Sequence, residues 1–184
     1  MPLVEVRRLA IPEVMYFRYR LFEDERGFFA ELWKRSENLA AGLPFDFVQV
    51  NLIYSRPFMV RGLHYQLKPL EQGKLVFVVR GRVFDVAVDI RRGSPYFGRW
   101  VAAELGPGEA LWIPPGFAHV LQFLEETYFL YLVTKEYDPQ RDRCIGCDDS
   151  AIGVKWPAPD RAILSQKDRS YPPLAEAENN FEYP

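Results

Sequence analysis

His64, in the stretch RGLHYQ (61–66), and His119, in PPGFAHVLQF (114–123), are the only two histidines among 184 residues. An imidazole titrates close to neutral pH, so either ring suits proton transfer, and either serves equally as a hydrogen-bonded core residue. His64 stands in a run that reads as the middle of a β-strand, where residues two apart share a face. Gly62 and Gln66 are on its face, and Arg61 falls on the other parity. A common target for Arg61 and His64 therefore requires a bulge or sharp twist near Gly62, where glycine permits one. Lys74 opens the next strand, after Gly73. Lysine is rarely buried without a partner, so at a strand end the solvated state is the ordinary one.

Other polar residues sit where a sheet would bury them. Gln49 and Asn51 place two amides side by side on the face of Phe47 and Ile53. A buried amide is costly unless hydrogen-bonded, so the pair either stitches the sheet or meets a ligand. Asp85 shares a small, acidic strand face with Val83, Ala87 and Asp89, opposite Phe84, Val86, Val88 and Ile90. Tyr131 lies on the face of Phe129 and Val133, and Tyr137 just past that strand; taken singly, packing explains both. A metal site finds little support. The histidines are 55 positions apart (64 to 119) with no His-x-His pair, and metal barrels need three or four ligands. CIGC (144–147) lacks the second ligand pair of a zinc site and the βαβ setting of a redox motif, so Cys144 and Cys147 read as incidental loop thiols. GPG (106–108) lacks the third glycine of a dinucleotide fingerprint.

The elements that must position these residues are strands. FDFVQVNLIY (45–54) alternates, and KLVFVVRGRVFDVAVDI (74–90) reads as two strands around a tight Arg80-Gly81-Arg82 connection. RWVAAEL, ALWI, VLQFL and TYFLYLVT follow at intervals of eight to twelve residues with Gly/Pro punctuation, the pattern of a sandwich or jelly roll. Helix is scarce: Ser36 is placed to cap a short helix over ENLAA, stopped at Gly42. From about residue 157 the chain is Pro-rich and expected to wrap the roll as coil. No repeat or linker divides it, so residues 1–184 are expected to form one domain. A net charge of −2 without a basic run argues against nucleic-acid binding. The absence of a signal peptide or a bilayer-length apolar run argues against membrane partners and predicts a cytoplasmic protein.

Six segments in series, DERGFFAELW (24–33), RGLHYQ (61–66), QGKLVFVVRGRVFDVAVDIR (72–91), PPGFAHVLQF (114–123), FLYLVT (129–134) and LSQKD (164–168), resemble the dTDP-4-dehydrorhamnose 3,5-epimerases. The resemblance implies an all-β cupin, a double-stranded β-helix jelly roll with short peripheral helices, working without cofactor or metal. It implies epimerisation of dTDP-4-dehydro-6-deoxy-D-glucose at C3 and C5, in dTDP-L-rhamnose biosynthesis. Under it His64 is the base, oriented and charge-stabilised by Asp168. Tyr131 is the acid across the sugar ring, and Lys74 holds the enolate oxygen. Arg61 and His119 contact the diphosphate or sugar, and Tyr137 stacks on thymine. Arg26, Glu31, Gln49, Asn51, Asp142 and Lys167 contact the nucleotide, and Asp85 backs Lys74 or His64. The subunits are expected to pair as a homodimer by exchanging edge strands, which leaves open whose site Arg26 and Glu31 serve. The chain departs from the family pattern at QVNLIYS (49–55) and at RDRC (141–144), where Asp142 stands for Glu and two glycines are missing. A single-position epimerase, a non-catalytic nucleotide- or sugar-binding cupin and a metal-dependent cupin remain as alternatives.

Overall fold

The computed structural model describes residues 2–43 and 46–184; Phe45, in the stretch FDFVQVNLIY, lies outside them. Two sheets face one another. The first runs β1 (Leu3–Arg8), β2 (Met15–Tyr19), β10 (Glu109–Ile113), β7 (Lys74–Arg80), β12 (Thr127–Val133) and β5 (Gln49–Ser55) in spatial order. The second runs β13 (Asp142–Cys144), β6 (Met59–Gln66), β11 (Phe117–Phe123), β8 (Val83–Asp89) and β9 (Trp100–Leu105), with β14 (Ile163–Leu164) added parallel to β6. β3 (Phe22–Asp24) and β4 (Gly27–Phe29) form a separate hairpin that joins neither sheet.

The alternation read from the sequence decides which residues meet between the sheets. Val83 and Ala87 of β8, Leu121 and Phe123 of β11, Val76 and Val78 of β7 and Phe129 of β12 share one buried cluster, the interior of the roll. The opposite parity of β8, Val86 and Val88, with Ile90, packs outside under the C-terminal wrap, where Leu174 and Phe181 cover it. The acidic parity of β8 thus faces inward, as its small side chains require in the narrow gap between two sheets.

β7 and β8 form as read, yet they do not pair with each other. The connection through Gly81 carries the chain from the first sheet to the second, so each strand pairs elsewhere. Gly81 has φ +95°, and a Cβ there would lie 2.3 Å from Thr127 Oγ1. The short helix is α1 (Arg35–Ala40), and Lys34, rather than Ser36, stands at its N-cap. Ser36 lies inside the first turn because the Lys34 carbonyl accepts from the backbone of Asn38 and also from its side chain. β1 and β2 were not legible: charges interrupt the alternation of LVEVRR, which lies at a sheet edge.

Candidate active site

A pocket of about 600 Å³ opens between the two sheets, within the usual range for a small-molecule site. Its lining includes His64, Lys74, Tyr131 and Asp168, and also Gln49, Asn51, Arg61, His119, Tyr137, Asp142 and Lys167. These residues come from β5, β7 and β12 on one wall, β6, β11 and β13 on the other, the connection between β12 and β13, which carries Tyr137, and the segment 165–171 at the rim.

The bend demanded near Gly62 is present. In the pairing of β11 with β6, His119 faces His64 and Leu121 faces Arg61, so two steps on one strand match three on the other. That irregularity lets Arg61 and His64 reach one pocket from opposite parities. Gly62 sits at φ +133°, and a Cβ there would lie 2.4 Å from the His119 carbonyl oxygen and 2.6 Å from Val120 Cα. Only glycine fits.

His64 keeps 37% of its side chain accessible to the pocket. Its pKa is pushed down to about 4, first by desolvation and then by the Lys74 charge, with the Asp168 carboxylate opposing both. The imidazole is therefore neutral at physiological pH, the form that accepts a proton. Asp168 is buried, and one carboxylate oxygen accepts from Ser165 Oγ at 2.7 Å. The atom at hydrogen-bonding distance from His64 Nδ1 is Cys144 Sγ, at 2.9 Å, with Asp142 Oδ1 at 4.0 Å. Asp168 is thus brought to the site as a charge that favours the protonated ring, while the close neighbour of Nδ1 is a thiol.

Lys74 is buried rather than solvated. Its ammonium donates to the His64 backbone carbonyl at 3.4 Å, and burial lowers its pKa against the raising charges of Asp142 and Asp85. Tyr131, across the pocket on β12, has its pKa raised, mainly by burial and then by Asp142, so the phenol holds its proton. Asp142 itself is raised by desolvation, with Lys74 and Lys167 opposing.

The remaining residues set the shape. Gln49 Nε2 donates to Asn51 Oδ1 at 2.8 Å, and the Tyr137 backbone N–H donates to Gln49 Oε1 at 2.9 Å. The amides therefore both line the pocket and stitch the mouth of the strand pair. Tyr137 is exposed at that mouth, with its hydroxyl 3.5 Å from Asp142 Oδ2. Asp85 does not line the pocket. It is fully buried, and its Oδ1 lies 2.8 Å from His119 Nε2, so it holds that ring and reaches the site through it and through its charge on Lys74.

Arg26 and Glu31 are not brought to this pocket. Arg26 sits at the turn of the β3–β4 hairpin, its guanidinium on Asp24, and Glu31 is exposed beyond it. The hairpin stands apart because it pairs with neither sheet. Cys144 is not a loop thiol: it occupies β13 in register with His64, while Cys147 is buried outside the pocket. Tyr171 was missed. Its ring meets His64 edge-on at 6.2 Å between centroids, and its only sequence signal is a place before Pro172-Pro173. Among the described residues, donor atoms of His64, Asp142 and Cys144 lie within 4.8 Å of one another, a cluster that the ligand count along the chain did not foresee.

Comparisons with known proteins find relatives over nearly the whole chain. The family model for dTDP-4-dehydrorhamnose 3,5-epimerase matches residues 8–176. A dTDP-4-dehydrorhamnose 3,5-epimerase of Pseudomonas aeruginosa is 45% identical over 179 residues, covering 95% of this chain and 98% of that protein. The crystal structure of the Sulfolobus tokodaii enzyme superimposes with a TM-score of 0.88 at 43% identity, covering 97% of this chain and 98% of that one. A Legionella pneumophila 3,5-epimerase in complex with dTDP-4-keto-L-rhamnose gives 0.88 at 38% identity over 94% and 93% of the two chains. The antiparallel roll is the cupin-like jelly roll of those structures. The chain belongs to the dTDP-4-dehydrorhamnose 3,5-epimerase family, isomerases that act on a nucleotide-linked sugar.

Proposed function

We propose that this chain epimerises dTDP-4-dehydro-6-deoxy-D-glucose at C3 and C5, giving dTDP-4-dehydro-L-rhamnose, with His64 as base and Tyr131 as acid. The observation that carries the reading is their placement: His64 projects from β6 on one wall of the pocket and Tyr131 from β12 on the other. Inverting a carbon beside a ketone means taking its proton from one face of the ring and returning one to the opposite face. A neutral imidazole on one wall and a protonated phenol on the other supply those two halves.

The electrons left by the departing proton move onto the C4 oxygen as an enolate. Lys74, a buried ammonium beside the base, is the donor for that oxygen. Tyr131 then protonates the carbon from the far side, and solvent returns both groups to their starting protonation. The cycle runs once at each carbon. Asp168 steadies the imidazolium formed in each turn, since its charge already favours the protonated ring. Arg61 at the mouth suits the diphosphate, His119 held by Asp85 suits the sugar, and exposed Tyr137 suits stacking on thymine.

The reading extends to a cytoplasmic homodimer in which the whole chain acts as one unit. β5 is the edge of the first sheet, and its outward face carries Val50, Leu52 and Tyr54, with Val48 just ahead, all exposed. The β3–β4 hairpin likewise exposes Phe22, Phe28 and Phe29. A second copy laid along β5 covers that stripe and receives the hairpin, which carries Arg26 and Glu31 to the partner's pocket.

Incubation with dTDP-4-keto-6-deoxyglucose in D₂O, followed by NMR of the ring protons, tests the reaction. Deuterium at both C3 and C5 with L-rhamno product is expected; exchange at one carbon alone would sink the double epimerisation.

A further inference from the structure

We propose that His64, Asp142 and Cys144 form a binding site for a borderline-soft divalent cation, of which Zn²⁺ is the best fit, and that occupation of this site blocks the pocket. Strand pairing and donor geometry together point there. β13 lies against β6 with Cys144 in register with His64, and Asp142, two residues earlier, shares the face of Cys144. Nδ1 of His64 lies 2.9 Å from Sγ and 4.0 Å from Asp142 Oδ1, and all three donor atoms lie within 4.8 Å of one another.

A tetrahedral zinc with about 2.0 Å to N and O and about 2.3 Å to S has ligand–ligand edges of roughly 3.3–3.6 Å. The distances observed bracket those values, so small side-chain rotations close the site while the strands stay in place. A nitrogen, a thiolate and a carboxylate suit Zn²⁺, Co²⁺ or Ni²⁺ rather than Mg²⁺ or Ca²⁺. Three protein ligands leave a fourth position open. The carboxylates of Asp142 and Asp168 and the new thiolate offset most of the positive charge of the cation, Lys74 and Lys167.

Binding proceeds by loss of the Cys144 S–H proton to solvent, with no change of oxidation state, as the sulfur lone pair and the Nδ1 lone pair bond to the metal. With Nδ1 on the metal the ring is a poor base, and two of the three ligands, His64 and Asp142, are residues of the pocket wall. The site is therefore inhibitory: added Zn²⁺ lowers turnover and chelation restores it, the opposite of a metal-dependent cupin, and turnover unaffected by saturating Zn²⁺ would overturn the blocking role. Without a metal, the same 2.9 Å contact is a weak thiol–imidazole hydrogen bond, and the experiment separates the two.

The purified full chain, stripped with chelator and kept reduced, is titrated with Co²⁺ and then Zn²⁺. One equivalent of Co²⁺ with a sulfur-to-cobalt charge-transfer band is expected, displaced by Zn²⁺. Cys144→Ser should lose the band and weaken Zn²⁺ binding at least about tenfold, and His64→Asn should weaken it similarly. Cys147→Ser should keep both, which guards against a folding artefact at position 144. Co²⁺ bound without a thiolate band, a band that survives Cys144→Ser, or no binding at micromolar metal would each overturn the site. None of these readouts depends on the epimerase reaction, so that reading stands or falls separately.

Discussion

His64 and Tyr131 line one pocket from opposite sheets, the first on β6 beside His119 and the second on β12 beside Val76 and Asn51. This separation divides the reaction in two, and the halves can be tested apart. Tyr131→Phe leaves the base in place, so exchange of a ring proton with D₂O should persist while epimerised product falls by about 10²–10⁴. His64→Asn should abolish exchange as well, yet bind dTDP within a few-fold of the unaltered protein by calorimetry. Loss of exchange in the Tyr131 variant, or normal exchange without His64, would contradict the assignment.

Lys74 presents the opposite balance between activity and stability. Its ammonium is buried, and burial is the first cause of its lowered pKa, so the folded state carries a desolvation cost there. Lys74→Met should lower kcat by about 10²–10³ as the oxyanion donor is lost. Thermal unfolding should occur at the same or a higher temperature, as is common when a buried charge gives way to an apolar side chain. A lowered melting temperature would mean that Lys74 is chiefly a structural anchor.

At Gly62 the prediction concerns stability and site together. A Cβ would strike the His119 carbonyl at 2.4 Å, from a backbone at φ +133°. Gly62→Ala should cost roughly 3 kcal/mol or more in urea unfolding. Gly93→Ala meets nothing within 4 Å at φ +80° and should cost only about 1–2 kcal/mol. Similar losses at the two positions would remove Gly62 from its place as the pivot that turns Arg61 and His64 inward.

The β5 stripe tests the assembly. Leu52 is 64% exposed on the outward face of that edge strand. Leu52→Lys should yield monomers by light scattering and leave unfolding of the single chain within about 0.5 kcal/mol. If the hairpin reaches the partner's pocket, the same variant should lose dTDP affinity although Leu52 points away from its own pocket and does not line it. A stable dimer of unchanged affinity would point to a different interface.

The sequence was most informative where alternation was clean. The parity of β8 grouped Asp85 with Val83 and Ala87, which face inward, and the parity of β5 grouped Gln49 and Asn51 with Ile53, which line the pocket together; whether the amides stitch the sheet or meet a ligand was not decided by alternation. The need for a bend at Gly62 was legible from the parity conflict between Arg61 and His64, although the form of the bend was not. Partners across the sheets were illegible. Cys144 seemed incidental because its contact, His64, lies 80 positions away and is brought there only by β13 joining β6. Lys74 looked solvated because a strand end gives no hint that another sheet will cover it. Tyr171 reaches the pocket from a coil with no periodicity to read.

The wrap has a kinetic consequence. β14 pairs with Met59 and Val60 of β6 through Ile163 and Leu164, and the pocket takes its rim from residues 165–171 just beyond. Pairing segments about a hundred residues apart in the chain is among the slower events in folding, because the loop must close before the contact rewards it. The two sheets can meet before this segment docks, but Asp168 arrives only with it. Refolding followed by core fluorescence should therefore finish ahead of the recovery of dTDP binding, with an inactive but compact species in the interval.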